Sequence, residues 1–239
     1  MTPRNTRSLL ITVALLWLAG AGLRLTILAV PPLLPLIRSE LHLSATAVGL
    51  LVSLPVLLFS LAALPGSLLI ARLGIRRTLV GGLLIVAFGA ALRGVSPNAA
   101  ALFGATIVMG FGVAIMQPSM PTTVREWLPD HLGFGTATYS NGLIIGQLIP
   151  TLVTIPLVLP WLHGNWRLSL AVWSIPVTLT ALLLAVLAPR PVAAASTVNR
   201  SAQWWPDWRN SLVWRLGALL GSANAIYFAS NAYLPVWID

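Results

Sequence analysis

Residues 8–36 read SLLITVALLWLAGAGLRLTILAVPPLLPL, and this stretch decides the fold class. Arg24 is its only charged residue. A helix that crosses a bilayer needs about 20 largely apolar residues, so the stretch is long enough to span one. It is also longer than the roughly 7–15 apolar residues of a signal peptide, and no small-residue cleavage site follows it before the next apolar run. The stretch therefore predicts a membrane span that is kept, not a cleaved leader.

The rest of the chain has the same character. Of its 239 residues, 57% are hydrophobic and 8% are charged, and the mean hydropathy is +0.89. Soluble domains carry about 25% charged residues. This composition excludes a soluble enzyme, a disordered protein and a coiled coil. Because backbone groups in lipid must hydrogen bond internally, it predicts an all-α, polytopic membrane bundle. Six further spans are expected at Val48–Ile70, Leu79–Val95, Ala99–Val124, Thr136–Val158, Leu168–Leu187 and Leu212–Ile238.

The charges predict how the bundle is oriented. The 14 basic residues are all arginines, against 5 acidic residues, and the net charge is +9. They lie between apolar runs and leave no continuous basic surface for a nucleic acid, so we expect none to bind. Cytoplasmic loops are enriched in arginine and lysine. Among the arginines at the N-terminus or in connections, three fall on one side of the predicted bundle: Arg38, Arg93 and Arg167. The other arginines of the connections and the N-terminus fall on the opposite side. This distribution predicts a multi-pass protein of the cell (inner) membrane with a cytoplasmic N-terminus.

The connection after the sixth span differs from the others. Residues 189–211 are rich in Ala, Pro, Ser and Arg and contain Trp204, Trp205 and Trp208, which suits the layer between lipid and water. We therefore expect a six-helix bundle over residues 1–188, a cytoplasmic linker over 189–211, and a seventh helix over 212–239. Seven helices resemble one complete bundle and the start of a second, so the remaining C-terminal helices are expected to be missing from this chain.

Arg24 is the residue that most directly suggests a function. An arginine at the centre of a bilayer costs at least about 2.5–3.5 kcal/mol and is expected to face a bundle interior or a water-filled cavity. The acidic residues all lie outside the predicted spans: Glu40, Glu126, Asp130, Asp207 and Asp239. A guanidinium group binds oxyanions well, so Arg24 is a candidate substrate-binding residue. The alternatives are bonds to backbone carbonyls, to an amide such as Gln147, or to a carboxylate of helices outside this chain.

Further polar residues fall inside two later spans. Asn224, Tyr227 and Asn231 are spaced i, i+3 and i+7 and share one stripe of the seventh helix. They either line a substrate site or form hydrogen bonds between helices, which are weak in a membrane. Gln147 lies near the centre of the fifth span, and its depth makes it a candidate for the same cavity. Asn141 is expected to serve a helix contact or a cytoplasmic gate.

Residues 71–77, ARLGIRR, resemble the loop between the second and third helices of the major facilitator superfamily, whose pattern is G-x-x-x-D-R-x-G-R-R. Ala71 stands in place of the aspartate, and Ile75 replaces the first arginine after the glycine. The glycine-rich run 110–114 followed by Gln117, and Arg93 near the end of the third span, are similar to the cyanate/nitroimidazole-type transporters of that superfamily. The resemblance implies gating or loop roles for Arg72, Gly74, Arg76, Arg77, Gln117 and Arg93. Arg93 is either an outer funnel for anions or an anchor at the membrane interface.

This resemblance implies a six-helix half built from inverted repeats of three helices, followed by a seventh helix. It further implies a secondary active or facilitative transporter of a small anionic or electronegative solute, cyanate-like or nitroaromatic, that works by alternating access. The alternative is a polytopic scaffold or receptor that transports nothing. An enzyme is not expected, because the chain has no cysteine and its three histidines lie in connections. No cofactor and no metal site are predicted.

Overall fold

The computed structural model describes residues 6–189 and 209–238, and the regular structure within these two ranges is helical throughout. Residues 6–189 belong to one compact unit and residues 209–238 to another. Most of the predicted linker, with its three tryptophans, lies outside the described residues. The all-α fold class predicted from composition is confirmed.

Short connections join long helices in the first unit. Its elements are α1 (Thr6–Leu25), a 3-10 turn (Pro31–Leu33), α2 (Leu34–Leu41), α3 (Ala45–Leu73), α4 (Ile75–Gly94), α5 (Ala99–Met116), α6 (Ser119–Trp127), a second 3-10 turn (Pro129–His131), α7 (Leu132–Val153), a π-helical segment (Thr154–Val158), α8 (Leu159–Trp161), α9 (Trp166–Val172) and α10 (Ser174–Leu187). The second unit contains α11 (Ser211–Ile238).

The predicted spans coincide with these helices. Five helical stretches among the described residues are long and apolar enough to cross a membrane: Arg7–Leu25, Ile75–Gly94, Ala99–Trp127, Pro129–Trp161 and Trp166–Leu187. The second and seventh predicted spans fall within α3, a helix of 29 residues, and α11, a helix of 28 residues. Each is longer than the roughly 20 residues that a bilayer requires.

The helix pairs of the first unit follow the symmetry of two repeats. The closest neighbour of α1 is α7, and α3 packs mainly against α5, while α4 packs against both α5 and α10. If spans 1, 2 and 3 are exchanged with spans 4, 5 and 6, the pair α1–α7 (spans 1 and 5) becomes the pair α5–α3 (spans 4 and 2). The pair α4–α10 (spans 3 and 6) is unchanged by the exchange. Repeats of three helices are typical of transporter bundles of this kind.

Glycines allow the closest of these contacts. A Cβ atom added at Gly142 would collide with the backbone of Trp17, and one added at Gly146 would collide with that of Ala21. Both pairs advance in the same direction, so α1 and α7 run parallel. Trp17 Nε1 also donates to Asn141 Oδ1 at 2.8 Å, which confirms the helix-contact role expected for Asn141. Small residues are the usual means by which membrane helices approach closely.

Two arginines join the ends of α4 and α10, the third and sixth spans. Arg76, in the first turn of α4, donates from its guanidinium to the carbonyl of Ala185 in the last turn of α10. At the opposite end, Arg167 in the first turn of α9 donates from Nε to the carbonyl of Ser96, just beyond α4, at 2.9 Å. Each antiparallel helix thus supplies an arginine to the carbonyl end of the other, where a cation is favoured.

The first span is not the single helix that its apolar sequence predicts. Helix α1 already ends at Leu25, and helix resumes through Pro31, Pro32 and Pro35 as far as Leu41, so these prolines do not mark its end. Proline lacks an N–H, so Pro31 and Pro32 cannot donate to the turn before them. The fifth span is irregular at a similar level, where Pro156 lies in the π-helical segment. These two irregular segments contact each other.

Candidate functional site

The break in the first span places Arg24 in the last turn of α1. Its side chain is half-buried, and its guanidinium carbon Cζ lies 5.7 Å from the centroid of the Phe59 ring on α3. A guanidinium over an aromatic face at this distance is attracted by the ring, by about 0.5–1 kcal/mol at an exposed site and more where water is excluded. Arg24 therefore brings a positive charge into the space between α1 and α3, which belong to different helix pairs.

Gln147 lies at nearly the same depth as Arg24. Because Gly146 packs on Ala21 and the two helices run parallel, Gln147 lies one residue beyond that contact and Arg24 three residues beyond it. At 1.5 Å per residue, their Cα atoms differ in depth by about 3 Å. Gln147 is also half-buried. The fold thus brings two of the predicted substrate-binding residues, from spans 1 and 5, to one level of the bundle.

The other three predicted substrate-binding residues belong to α11. The backbone of this helix is described as far as Ile238. The side chains of Asn224, Tyr227 and Asn231 lie outside the described part of the chain, and their common stripe stays a prediction.

Arg93 differs from both roles considered for it. It lies in the last turn of α4 and is only 1% exposed, so it is neither an exposed funnel nor an anchor in the headgroup layer. Its Nη2 donates to the backbone carbonyl of Thr26 at 2.5 Å, immediately after the end of α1. The sequence does not indicate this contact, because the first span looks continuous and Arg93 lies near the predicted end of the third span.

The loop between α3 and α4 is a single residue, Gly74. Its φ of 79° lies in the left-handed region, which glycine adopts at no steric cost, so the chain can reverse there. Arg72 and Arg77 are exposed on either side of the turn. Arg76 is half-buried because it reaches the end of α10. The predicted cationic turn is therefore present, and one of its arginines has a structural contact.

Gln117 lies where α5 passes into α6, and its side chain is half-buried. Its Oε1 is buried and accepts no hydrogen bond from the described residues. Gln117 therefore stays a gating candidate whose buried acceptor is available to another donor.

A polar cluster at the end of the bundle opposite the Gly74 turn was missed by sequence reasoning. Glu40 at the end of α2 accepts from the guanidinium of Arg167 and, at 2.5 Å, from Nε1 of Trp166. These two donors hold the pKa of the Glu40 carboxyl below its ordinary value of 4.5, with the Arg167 hydrogen bond as the larger cause. The residues are 126 and 127 positions apart, so no local pattern could have indicated the cluster.

Residues 6–189 and 209–238, which the structure describes, contain no group of three or more metal-ligating side chains. Arg24 and Gln147 bring a guanidinium and an amide to one level of an apolar bundle. Such groups can bind a solute by charge and hydrogen bonding.

Comparison with known proteins shows the family of the chain. Residues 16–239 match the Major Facilitator Superfamily. The chain is 27% identical to the 2-nitroimidazole transporter of Escherichia coli over 98% of its own length and 59% of that protein, and 28% identical to the cyanate transport protein CynX of Escherichia coli over 92% and 56%. It is 29% identical to the uncharacterized transporter YycB of Bacillus subtilis over 90% and 52%.

The chain thus spans a little more than half the length of these curated relatives. They are transporters and not enzymes, in agreement with the sequence-based expectation. The match begins within α1 and includes both the Gly74 turn and the Arg24 region. The chain is a multi-pass membrane protein that belongs to the Major Facilitator Superfamily.

Proposed function

We propose that the protein carries a small anionic or electronegative solute across the membrane by alternating access, and that Arg24 binds this solute. The observation that carries the proposal is the position of Arg24, whose half-buried guanidinium lies over Phe59 inside an apolar bundle. None of the five acidic residues of the sequence lies in α1, α3 or α7. A guanidinium inside an apolar bundle favours a solute that brings negative charge.

The relatives support the choice of solute class. Their names specify 2-nitroimidazole and cyanate, of which the first carries an electronegative nitro group and the second is a linear anion. Both present oxygen or nitrogen acceptors that a guanidinium can contact with two N–H groups at once. Gln147 at a similar depth would add an amide donor. We accordingly assign Arg24 and Gln147 to the substrate site.

The proposal extends to the whole carrier. The repeat pattern of α1–α10 supports a six-helix half (residues 1–188) that rocks against a second half. The linker 189–211 would connect the two, and Asn224, Tyr227 and Asn231 of α11 stay candidate substrate-binding residues. The excess of arginine in alternate connections supports a cytoplasmic N-terminus in the cell inner membrane. Transport is then either secondary active or facilitative.

Replacing Arg24 tests the proposal. We expect Arg24→Ala, in the protein as its gene encodes it and reconstituted in proteoliposomes, to reduce uptake of labelled cyanate and 2-nitroimidazole at least about 100-fold, since the interaction is charge-assisted. Arg24→Lys should recover only part of the rate, because an ammonium group lacks the planar fork of donors.

The control is Arg38→Ala, which removes the same charge from an exposed position on α2 and should leave uptake near the wild-type rate. Wild-type uptake by a well-inserted Arg24→Ala variant would disprove the role of Arg24.

A further inference from the structure

The break after α1 leaves a backbone acceptor without its helical donor. In a continuous helix the N–H of Val30 would bond to the carbonyl of Thr26. Here the Val30 N–H bonds weakly to the Ile27 carbonyl at 3.4 Å, and the Ile27 and Leu28 N–H groups both bond to the Arg24 carbonyl at 3.1 Å. The carbonyl of Thr26 is instead bonded by Arg93 Nη2. Arg93 therefore replaces the missing helical donor two residues after Arg24.

Burying an arginine so that it donates to one carbonyl costs desolvation free energy. Arg93 is 1% exposed, and the described part of the chain places no carboxylate within ion-pair distance of it. Its Nε is buried and finds no hydrogen-bond partner among the described residues, and the same is true of the Thr26 hydroxyl. Desolvating such a charge costs several kcal/mol, so stability alone does not explain the residue. Buried polar atoms without partners often mark functional positions.

The segment beyond the break is held from a second side. The turn Pro31–Leu33 contacts the π-helical segment Thr154–Val158 of the fifth span. Thr154 is fully buried, and its hydroxyl accepts at 3.0 Å from Nε1 of Trp173, the residue between α9 and α10, so the sixth span fixes the π-helical segment. The hydrogen bond from Arg93 is thus the polar contact that ties the start of the break to the third span.

We propose that Arg93 is a positioning residue for the solute site: by holding the Thr26 carbonyl it stops α1 one residue after Arg24 and fixes the direction of the Arg24 side chain toward Phe59. The inference rests on the proposed function, because it assigns to Arg93 the task of presenting Arg24 to the solute. Without the Arg93 bond, the Thr26–Val30 segment gains alternative conformations, and the last turn of α1 with Arg24 frays.

Transport kinetics test the inference. We expect Arg93→Gln to raise the KM for cyanate about tenfold while kcat changes much less, because the loss falls on binding. A variant that merely misfolded in part would lower the amount of active carrier at unchanged KM. Arg93→Lys should lower the KM again toward the wild-type value, since an ammonium group can still donate to one carbonyl. Arg38→Gln, a charge loss at an exposed position, should leave KM unchanged.

A labelling experiment tests the same point without any solute. The chain contains no cysteine, so Leu28→Cys introduces a unique thiol in the half-buried segment after the break. In combination with Arg93→Gln, the thiol should react with a charged methanethiosulfonate reagent at least about tenfold faster than with Arg93 present, because local opening exposes it. Combination with Arg38→Gln should leave the labelling rate unchanged.

The outcomes separate the two proposals. If Arg24→Ala abolishes uptake while Arg93→Gln changes neither KM nor labelling, the positioning role is wrong and the proposed function stands. If Arg24→Ala keeps wild-type uptake, the proposed function fails, whatever the labelling shows. Should Arg93→Gln fail to insert, Arg93→Met, which keeps most of the side-chain volume, takes its place in both measurements. Wild-type KM and labelling rate in Arg93→Met then also overturn the positioning role.

Discussion

Arg24 of the first span and Arg93 of the third span lie near the same break in the first span, and they make different contacts. Arg24 reaches across to the Phe59 ring, whereas Arg93 is buried on a backbone carbonyl two residues later in the chain. Sequence alone could identify Arg24, because apolar residues surround it on both sides. It could not identify the role of Arg93, because that depends on a break in another span, 67 residues away.

Gly146 offers a test of the contact between α1 and α7. A Cβ at this position would meet the backbone of Ala21, which cannot move without shifting α1. We expect Gly146→Ala to destabilise the protein by about 1–3 kcal/mol through overpacking. Thermal unfolding of the purified protein in detergent measures the change.

The matched control for this prediction is Gly133→Ala on the same helix, where an added Cβ meets nothing within 4 Å. It should be neutral or slightly stabilising, because alanine favours helix by up to about 1 kcal/mol over glycine. Equal unfolding temperatures for the two alanine variants would contradict the close packing.

Glu40 makes the cluster that it forms with Trp166 and Arg167 sensitive to acid. Its pKa is lowered in the folded protein, so its contribution to stability is present above its ordinary value of 4.5 and is lost as the pH falls through the lower folded value. We expect the unfolding temperature of the wild type to drop more than that of Glu40→Gln between about pH 7 and pH 3.

Asp130→Asn, which removes an exposed carboxylate from the connection between α6 and α7, should keep the acid response of the wild type. Identical pH curves for wild type and Glu40→Gln would show that the cluster does not contribute to stability.

At the scale of elements, the boundaries of most helices follow from the chain itself. Ser44 and Asn98 begin α3 and α5 as N-caps that accept from the N–H groups of Ala47 and Ala101, and Gly74 separates α3 from α4. The break after Leu25 and the π-helical segment are less predictable. Prolines indicate that a helix is disturbed nearby, but the tertiary contacts of Arg93 and Trp173 decide where the turn opens.

The hydrogen bond from Arg76 of α4 to the Ala185 carbonyl of α10 can be tested by substitution. Arg76→Gln should lower the free energy of unfolding by about 1.5–3 kcal/mol, because it removes a charged donor from the carbonyl end of α10. The control is Arg77→Gln, which removes the same charge from the neighbouring exposed position and should cost less than about 0.5 kcal/mol. Similar losses for the two variants would argue against a specific role of Arg76.

At the scale of the whole molecule, the arginine distribution predicts which connections face the cytoplasm. In a chain without cysteine, single thiols report on one position each. We expect Pro97→Cys, between α4 and α5, to react with a membrane-impermeant maleimide in intact cells. Gly133→Cys, at the start of α7, should react only in inverted vesicles, because the arginine-rich side is retained in the cytoplasm. The reverse pattern would refute the predicted orientation.

Sequence predicted the architecture better than it predicted the site. Long apolar runs set the number and type of helices, and their length is a direct consequence of bilayer thickness. The site depends on which helices pair, and such pairing follows from small residues spread over distant spans, as Gly146 and Ala21 show. The chain spans a little more than half the length of the curated relatives that it matches, and its division into one half and a following helix stays a prediction.

The exchanged arginines at the ends of the third and sixth spans have a mechanical consequence. Arg76 of α4 bonds to a carbonyl near the end of α10, and Arg167 of α9 bonds to a carbonyl just beyond the opposite end of α4. Sliding α4 along the sixth span by even one residue, about 1.5 Å, would strain both bonds together. The two helices therefore resist shear and keep a common register. In the transport cycle that we propose, we expect bending in the spans that carry a break or a π-helical turn, while this pair of spans stays rigid.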